Sequence, residues 1–126
     1  LNIAAENLPI LRGDKSGLFS VFINLVENAA KYSIDTPNIQ VKSWYENNQF
    51  HFEVADNGIG IPAAERKNVF QQFYRIGSEE TRKTKGTGLG LYIVNEIVKA
   101  HKGNIAIAEN KPKGTIFKVS LPDLSV

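Results

Sequence analysis

The chain has 126 residues, 42% of them apolar and 22% charged, with a formal net charge of +2. That length suits one domain able to bury a core, and the near-neutral balance argues against a general nucleic-acid or membrane binder. The absence of cysteine excludes disulfides, thiolate metal sites and thiol nucleophiles, and no apolar run has the length of a membrane span, nor does a signal peptide open the chain. Starting at Leu1-Asn2-Ile3 without Met, the chain reads as a piece of a longer protein.

Residues 1–6 and 10–12 read as short extended pieces around Asn7-Leu8-Pro9, a candidate hairpin. Gly13-Asp14-Lys15-Ser16 offers a helix N-cap. A helix follows from Gly17 to about Tyr32, with Leu18, Phe19, Phe22, Leu25, Val26 and Ala29 on one broad apolar face. Residues 39–45 and 50–54 alternate apolar and polar around Asn47-Asn48 and predict a hairpin. Asp56-Asn57-Gly58-Ile59-Gly60-Ile61-Pro62 then ends the second strand in a glycine-rich turn, and residues 63–70 suit a short helix.

From there to Lys85 no period is visible, and an irregular stretch of that size in a compact domain marks a functional lid or disorder. Six basic residues against three acidic ones between Pro62 and Lys85 favour a lid. Gly86-Thr87-Gly88-Leu89-Gly90-Leu91 opens a helix over residues 89–101 that is apolar on nearly all sides and ends near Gly103. Residues 105–108 and 115–121 form a second hairpin across residues 110–114. Mixed helices and antiparallel hairpins predict a two-layer α/β sandwich.

Glycines at every second position before a helix leave the backbone free to approach an anion at the helix N-terminus. A dinucleotide fingerprint is excluded because no strand precedes Gly86, and a P-loop because Gly-Lys-Ser/Thr is absent. On the first helix, Asn24, Asn28 and Lys31 fall at i, i+4 and i+7, a polar stripe opposite the apolar face. Asparagine is a poor mid-helix residue, so the stripe suits a ligand. Amide oxygens are hard donors for Mg²⁺, and lysine is a point charge for phosphate. Asp56 at a strand end, with Gly58 and Gly60 behind it, can accept a hydrogen bond from an exocyclic amine such as adenine's, where guanine presents an acceptor. Its plain alternative is an Asx-turn.

Together these segments resemble the ATP-binding catalytic domain of sensor histidine kinases, the Bergerat fold of the GHKL superfamily that also holds type II topoisomerases and certain chaperones. Residues 24–33 are similar to that family's N box, residues 56–62 to its first glycine box and residues 70–75 to its F box, with Gln71-Gln72 in place of the usual Glu-Pro. Residues 86–91 resemble the second glycine box and Lys113-Gly114-Thr115 the last. The resemblance covers essentially the whole chain, residues 1–126 as a single domain. It implies an α+β two-layer sandwich, with a mixed, largely antiparallel sheet of about five strands covered by three helices and a long ATP lid. By that resemblance Asn28 is the Mg²⁺ ligand, Asn24 and Lys31 lie along the phosphates, Tyr32 contacts the nucleotide and Asp56 takes the adenine amine. Gly58, Gly60 and Ile61 line the nucleotide loop, and Thr115 helps hold the base. Gly86, Thr87, Gly88, Leu89, Gly90 and Leu91 cradle the phosphates, and Arg75 meets the γ-phosphate when the lid closes.

Hydrolysing members of the superfamily carry a glutamate one turn before the metal-binding asparagine. Asn24 stands there in this chain, and an amide cannot act as a general base, which favours transfer over hydrolysis. Neither His51-Phe52 nor His101-Lys102 fits the family's phosphoacceptor, a histidine followed by an acidic residue. His51 reads as a strand residue on a polar face and His101 as a helix C-terminal residue facing the last carbonyls. The resemblance therefore implies partners outside the chain: upstream dimerisation helices bearing the histidine, a homodimeric full-length protein, and a response-regulator receiver domain. It also implies a cytoplasmic place for this domain, within a protein that is a candidate for inner-membrane anchoring. Three other readings are an ATP-sensing regulatory module, a protein-serine kinase of the same superfamily and, last, nucleic-acid binding through the basic lid.

Overall fold

A computed structural model describes residues 2–5, 15–32, 38–74 and 90–122, with the backbone alone for residues 2–5, Lys15 and Tyr32. Its elements are β1 (Asn2–Ala5), α1 (Lys15–Tyr32), β2 (Gln40–Glu46), β3 (Gln49–Ala55), a 3₁₀ turn (Ala63–Glu65), α2 (Gly90–Ala100), β4 (Asn104–Glu109) and β5 (Thr115–Pro122). The strands form one sheet in the order β1-β2-β3-β5-β4. β1 runs parallel to β2, and the other pairs are antiparallel. The partner of β1 is thus β2; residues 10–12, the other half of the expected hairpin, lie outside the described residues.

Strand periodicity places the core. Val41 pairs with Val54, Val54 with Phe117, and Phe50 with Leu121, so one face of the sheet is apolar. Val21, Leu25 and Ala29 of α1 and Val94 and Val98 of α2 close over it in a single cluster. The other face carries Trp44, stacked on His51 at 5.2 Å between centroids, with Lys118 Nζ 5.4 Å from the Trp44 ring. His51 Nδ1 is paired with Ser120 Oγ at 2.9 Å, so His51 sits on the polar face as its alternation predicted. Asn47 and Asn48 turn the β2–β3 hairpin with φ of 54° and 60°, the left-handed pair that asparagine tolerates best.

Four expectations need correction. Phe19 is 65% exposed, and Val21 occupies the core instead, because the buried stripe of α1 lies to one side of the broad apolar face. Helix α2, apolar on nearly all sides and so expected to be buried, is not buried throughout, since Ile93 is 38% exposed while Val94 and Val98 are buried. Residues 63–70 are no α-helix: Glu65, Arg66, Asn68 and Gln71 each donate to the carbonyl three residues back, the tighter spacing of 3₁₀ turns. The described residues therefore hold two α-helices and one 3₁₀ turn in place of three helices.

The end of α2 carries the fourth correction. Lys102, not Gly103, takes the left-handed conformation, at φ 61°. Lys102 N–H donates to the Lys99 carbonyl and Gly103 N–H to the Val98 carbonyl, both at 2.9 Å, the two bonds of a Schellman cap. Glycine is needed at 103 for room, as a Cβ there would run into the Ser120 carbonyl oxygen. His101 behaves as expected, with its Nδ1 2.8 Å from the Ile97 carbonyl.

Candidate nucleotide site

Asp56 leaves the end of β3 and is only 2% exposed. Its backbone N–H donates to the Thr115 carbonyl at 2.9 Å, prolonging the β3–β5 ladder by one bond. Its Oδ1 accepts N–H groups from Gly58 at 2.8 Å and Thr115 at 3.2 Å. Both bonds use one oxygen, and no buried side-chain N or O atom among the described residues lacks a partner, so Oδ2 keeps access to the surface. Burial pushes the Asp56 carboxyl above its usual value of 3.8, against the opposing pull of the Gly58 and Thr115 N–H groups. The Asx-turn reading is therefore correct in part: Gly58 N–H closes such a turn, yet the carboxylate is buried, bonded across the sheet and open on one oxygen.

The glycines around Asp56 have separate reasons. Gly114 has φ +113°, and a Cβ on it would collide with the Asp56 carbonyl oxygen, so only glycine permits this crossing. Gly60 has φ +79°, with the Gly114 carbonyl 3.5 Å from where its Cβ would stand. Asn110 was not foreseen; its Nδ2 donates to the Asp56 carbonyl at 2.7 Å, and its own N–H donates to the Gly114 carbonyl. In sequence it reads only as a turn residue. Asn57 Oδ1 also accepts the Asn38 N–H at 3.0 Å, tying the loop to the entry of β2.

The polar stripe of α1 is less enclosed. Asn24 and Asn28 are half-buried and Lys31 is exposed. Asn24 Nδ2 donates to the Ser20 carbonyl at 2.8 Å and lies 3.2 Å from Ser20 Oγ. A carbonyl only accepts, so the amide orientation is fixed and Oδ1 faces away, 3.2 Å from the position of a Cβ on Gly90. The first residue of α2 and the N-box stripe are thus neighbours. Of the remaining expected site residues, Thr115 is buried beside Asp56, Ile61 is packed against the core and Leu91 is half-buried at the start of α2. Arg75, Gly86, Thr87, Gly88 and Leu89, and with them the lid, lie outside the described residues, as does the Tyr32 side chain. From the F box, Phe70 meets Phe117 edge-to-face at 6.5 Å, while Phe73 is 64% exposed at φ 65°.

Residues 13–125 match the family of histidine kinase-, DNA gyrase B- and HSP90-like ATPases, and the chain belongs to that family. It is 34% identical over 118 residues to the circadian input-output histidine kinase CikA of Synechococcus elongatus, covering 94% of this chain and 16% of that protein. It is 36% identical over 123 residues to the sensor protein RprX of Bacteroides fragilis, covering 96% and 24%. The fold matches the mycobacterial sensor histidine kinase MprB with a TM-score of 0.81 at 31% identity, over 96% of this chain and 80% of that one. The chain thus spans a quarter or less of these curated relatives' length.

Proposed function

We propose that residues 1–126 are a single catalytic domain that binds Mg·ATP and passes its γ-phosphate to a histidine on separate dimerisation helices, from which a response regulator takes it. The observation that carries this reading is Asp56, buried, pinned through Oδ1 and open at Oδ2. An adenine amine donates to such an oxygen, whereas guanine offers an acceptor there and is repelled. The incoming N–H favours the ionised carboxylate, so base binding draws the raised pKa back down.

The helix stripe handles the other end of the nucleotide. Asn28 supplies a hard amide oxygen for Mg²⁺, and Lys31 a point charge for phosphate. Magnesium, when bound, would neutralise charge on the phosphates. Asn24 presents an amide oxygen where a hydrolase needs a base, and an amide cannot remove a proton from water. In this reading residues 86–91 would cradle the phosphates, with Arg75 meeting the γ-phosphate when the lid closes. No helix among the described residues is long and apolar enough to cross a membrane.

The test supplies the upstream helical domain in trans with labelled ATP. An acid-labile phosphohistidine on that domain is the expected product, with negligible label on this chain. Label remaining at background on both would leave an ATP-sensing module, and acid-stable label on serine would move the chain to the serine kinases.

A further inference from the structure

Arg66 follows the 3₁₀ turn and reaches across two other segments. Its Nε–H donates to the Ile61 carbonyl at 3.2 Å, and its Nη2 lies 3.8 Å from Glu109 Oε1 at the end of β4. The turn itself uses the carbonyls of Pro62 and Ala63, which accept from Glu65 and Arg66. The Ile61 carbonyl stands one residue before that ladder, and Arg66 satisfies it. The Ile61 side chain packs on the core, so this residue is fixed at two points, one apolar and one through the guanidinium. Glu109 is shared with Lys111, whose Nζ is 3.7 Å from Oε2, and is 68% exposed. An ion pair that open contributes little energy, so the Nε–H bond to the Ile61 carbonyl is the contact that matters.

Among the described residues, the adjoining loop has few other hydrogen bonds at this end. Gly60 is at positive φ, and Ile59 is 58% exposed. The other hydrogen bonds that anchor the loop fall at Asp56, Asn57 and Gly58. We propose that Arg66 is a positioning residue for base recognition, holding the Ile61 end of the loop in the conformation that receives adenine without touching the nucleotide. This rests on the reading of residues 56–62 as the base site. A loop held in its binding conformation loses less freedom on association, so Arg66 acts on every ligand that carries adenine and on nothing else.

Calorimetric titration of the parent and of Arg66→Met, which keeps the apolar stem, distinguishes this role. The probes are adenosine, ADP, Mg·ATP and tripolyphosphate, the last lacking a base. Adenosine, ADP and Mg·ATP should all weaken by one common factor of about 5, the scale of one hydrogen bond, with tripolyphosphate unchanged. Glu109→Gln, which leaves the Nε bond, should stay within about twofold of the parent for all four probes. Losses confined to the phosphate-bearing probes would make Arg66 a direct phosphate contact and overturn the proposal, as would affinities that do not move. If the base-site reading itself is wrong, the signature differs: the parent fails to bind adenosine at all.

Discussion

The two halves of the proposed nucleotide site are built differently. Around Asp56, recognition is backbone work: two N–H groups fix one carboxylate oxygen, Asn110 fixes the carbonyl, and Gly114 passes where no side chain fits. On α1, the stripe of Asn24, Asn28 and Lys31 stands on a helix surface, half-buried to exposed, with Asn24 hydrogen-bonded to Ser20 of its own preceding turn. The base half cannot change without changing how β3 and β5 end. The proposed phosphate half can exchange side chains on an intact helix.

That contrast predicts a descending order of effects. Gly114→Ala should be the most damaging, because it combines a collision with the Asp56 carbonyl and a strained φ. A loss of about 3–5 kcal/mol is expected from overpacking and backbone strain together, read as a lowered thermal midpoint with nucleotide binding lost. A stable Gly114→Ala domain would show that the crossing is not tight. Asp56→Asn should fold well yet lose about 10–100-fold in ATP affinity, the range of a hydrogen bond to a charged group. It should also blunt discrimination against GTP. A variant that binds both nucleotides as the parent does would remove Asp56 from the base site.

Asn28→Ala addresses the other half and should cost about tenfold in Mg·ATP affinity, with much less effect on metal-free ATP. Equal losses would contradict a metal role. The smallest effect concerns pH. Because burial raises the Asp56 pKa, the folded domain binds a proton more readily than the unfolded chain. This group's contribution to stability is full below the usual carboxyl value of 3.8 and is lost as pH rises through the folded pKa. Ligand-free unfolding curves over that range should show the decline in the parent and lose that component in Asp56→Asn. ATP affinity should run the other way and weaken as pH falls through the raised pKa.

Much of this was legible in the residues. Alternation located β2, β3, β4 and β5, and Asn47-Asn48 located a turn, because period and turn chemistry are local properties. The N-box and glycine-box residues stood out because their spacing is unusual for a solvated helix or an ordinary loop. The misses share a cause. Periodicity shows that α1 has an apolar face but not which edge of it meets the sheet, so Phe19 was placed inside and Val21 overlooked. Composition suggested a helix at residues 63–70, but the run folds as successive 3₁₀ turns that bring Arg66 to Ile61 and Glu109.

By itself, then, the sequence determined the family and most of the elements, and it singled out the residues proposed for recognition, since each rests on neighbours within a turn or a strand. Only the tertiary structure decided how those residues are held. Asn110 meets Asp56 across 54 positions and Thr115 meets it across 59, and the need for glycine at 114 exists only because Asp56 lies against it. Contacts between distant residues leave no local period. They follow from which strand ends the sheet brings side by side.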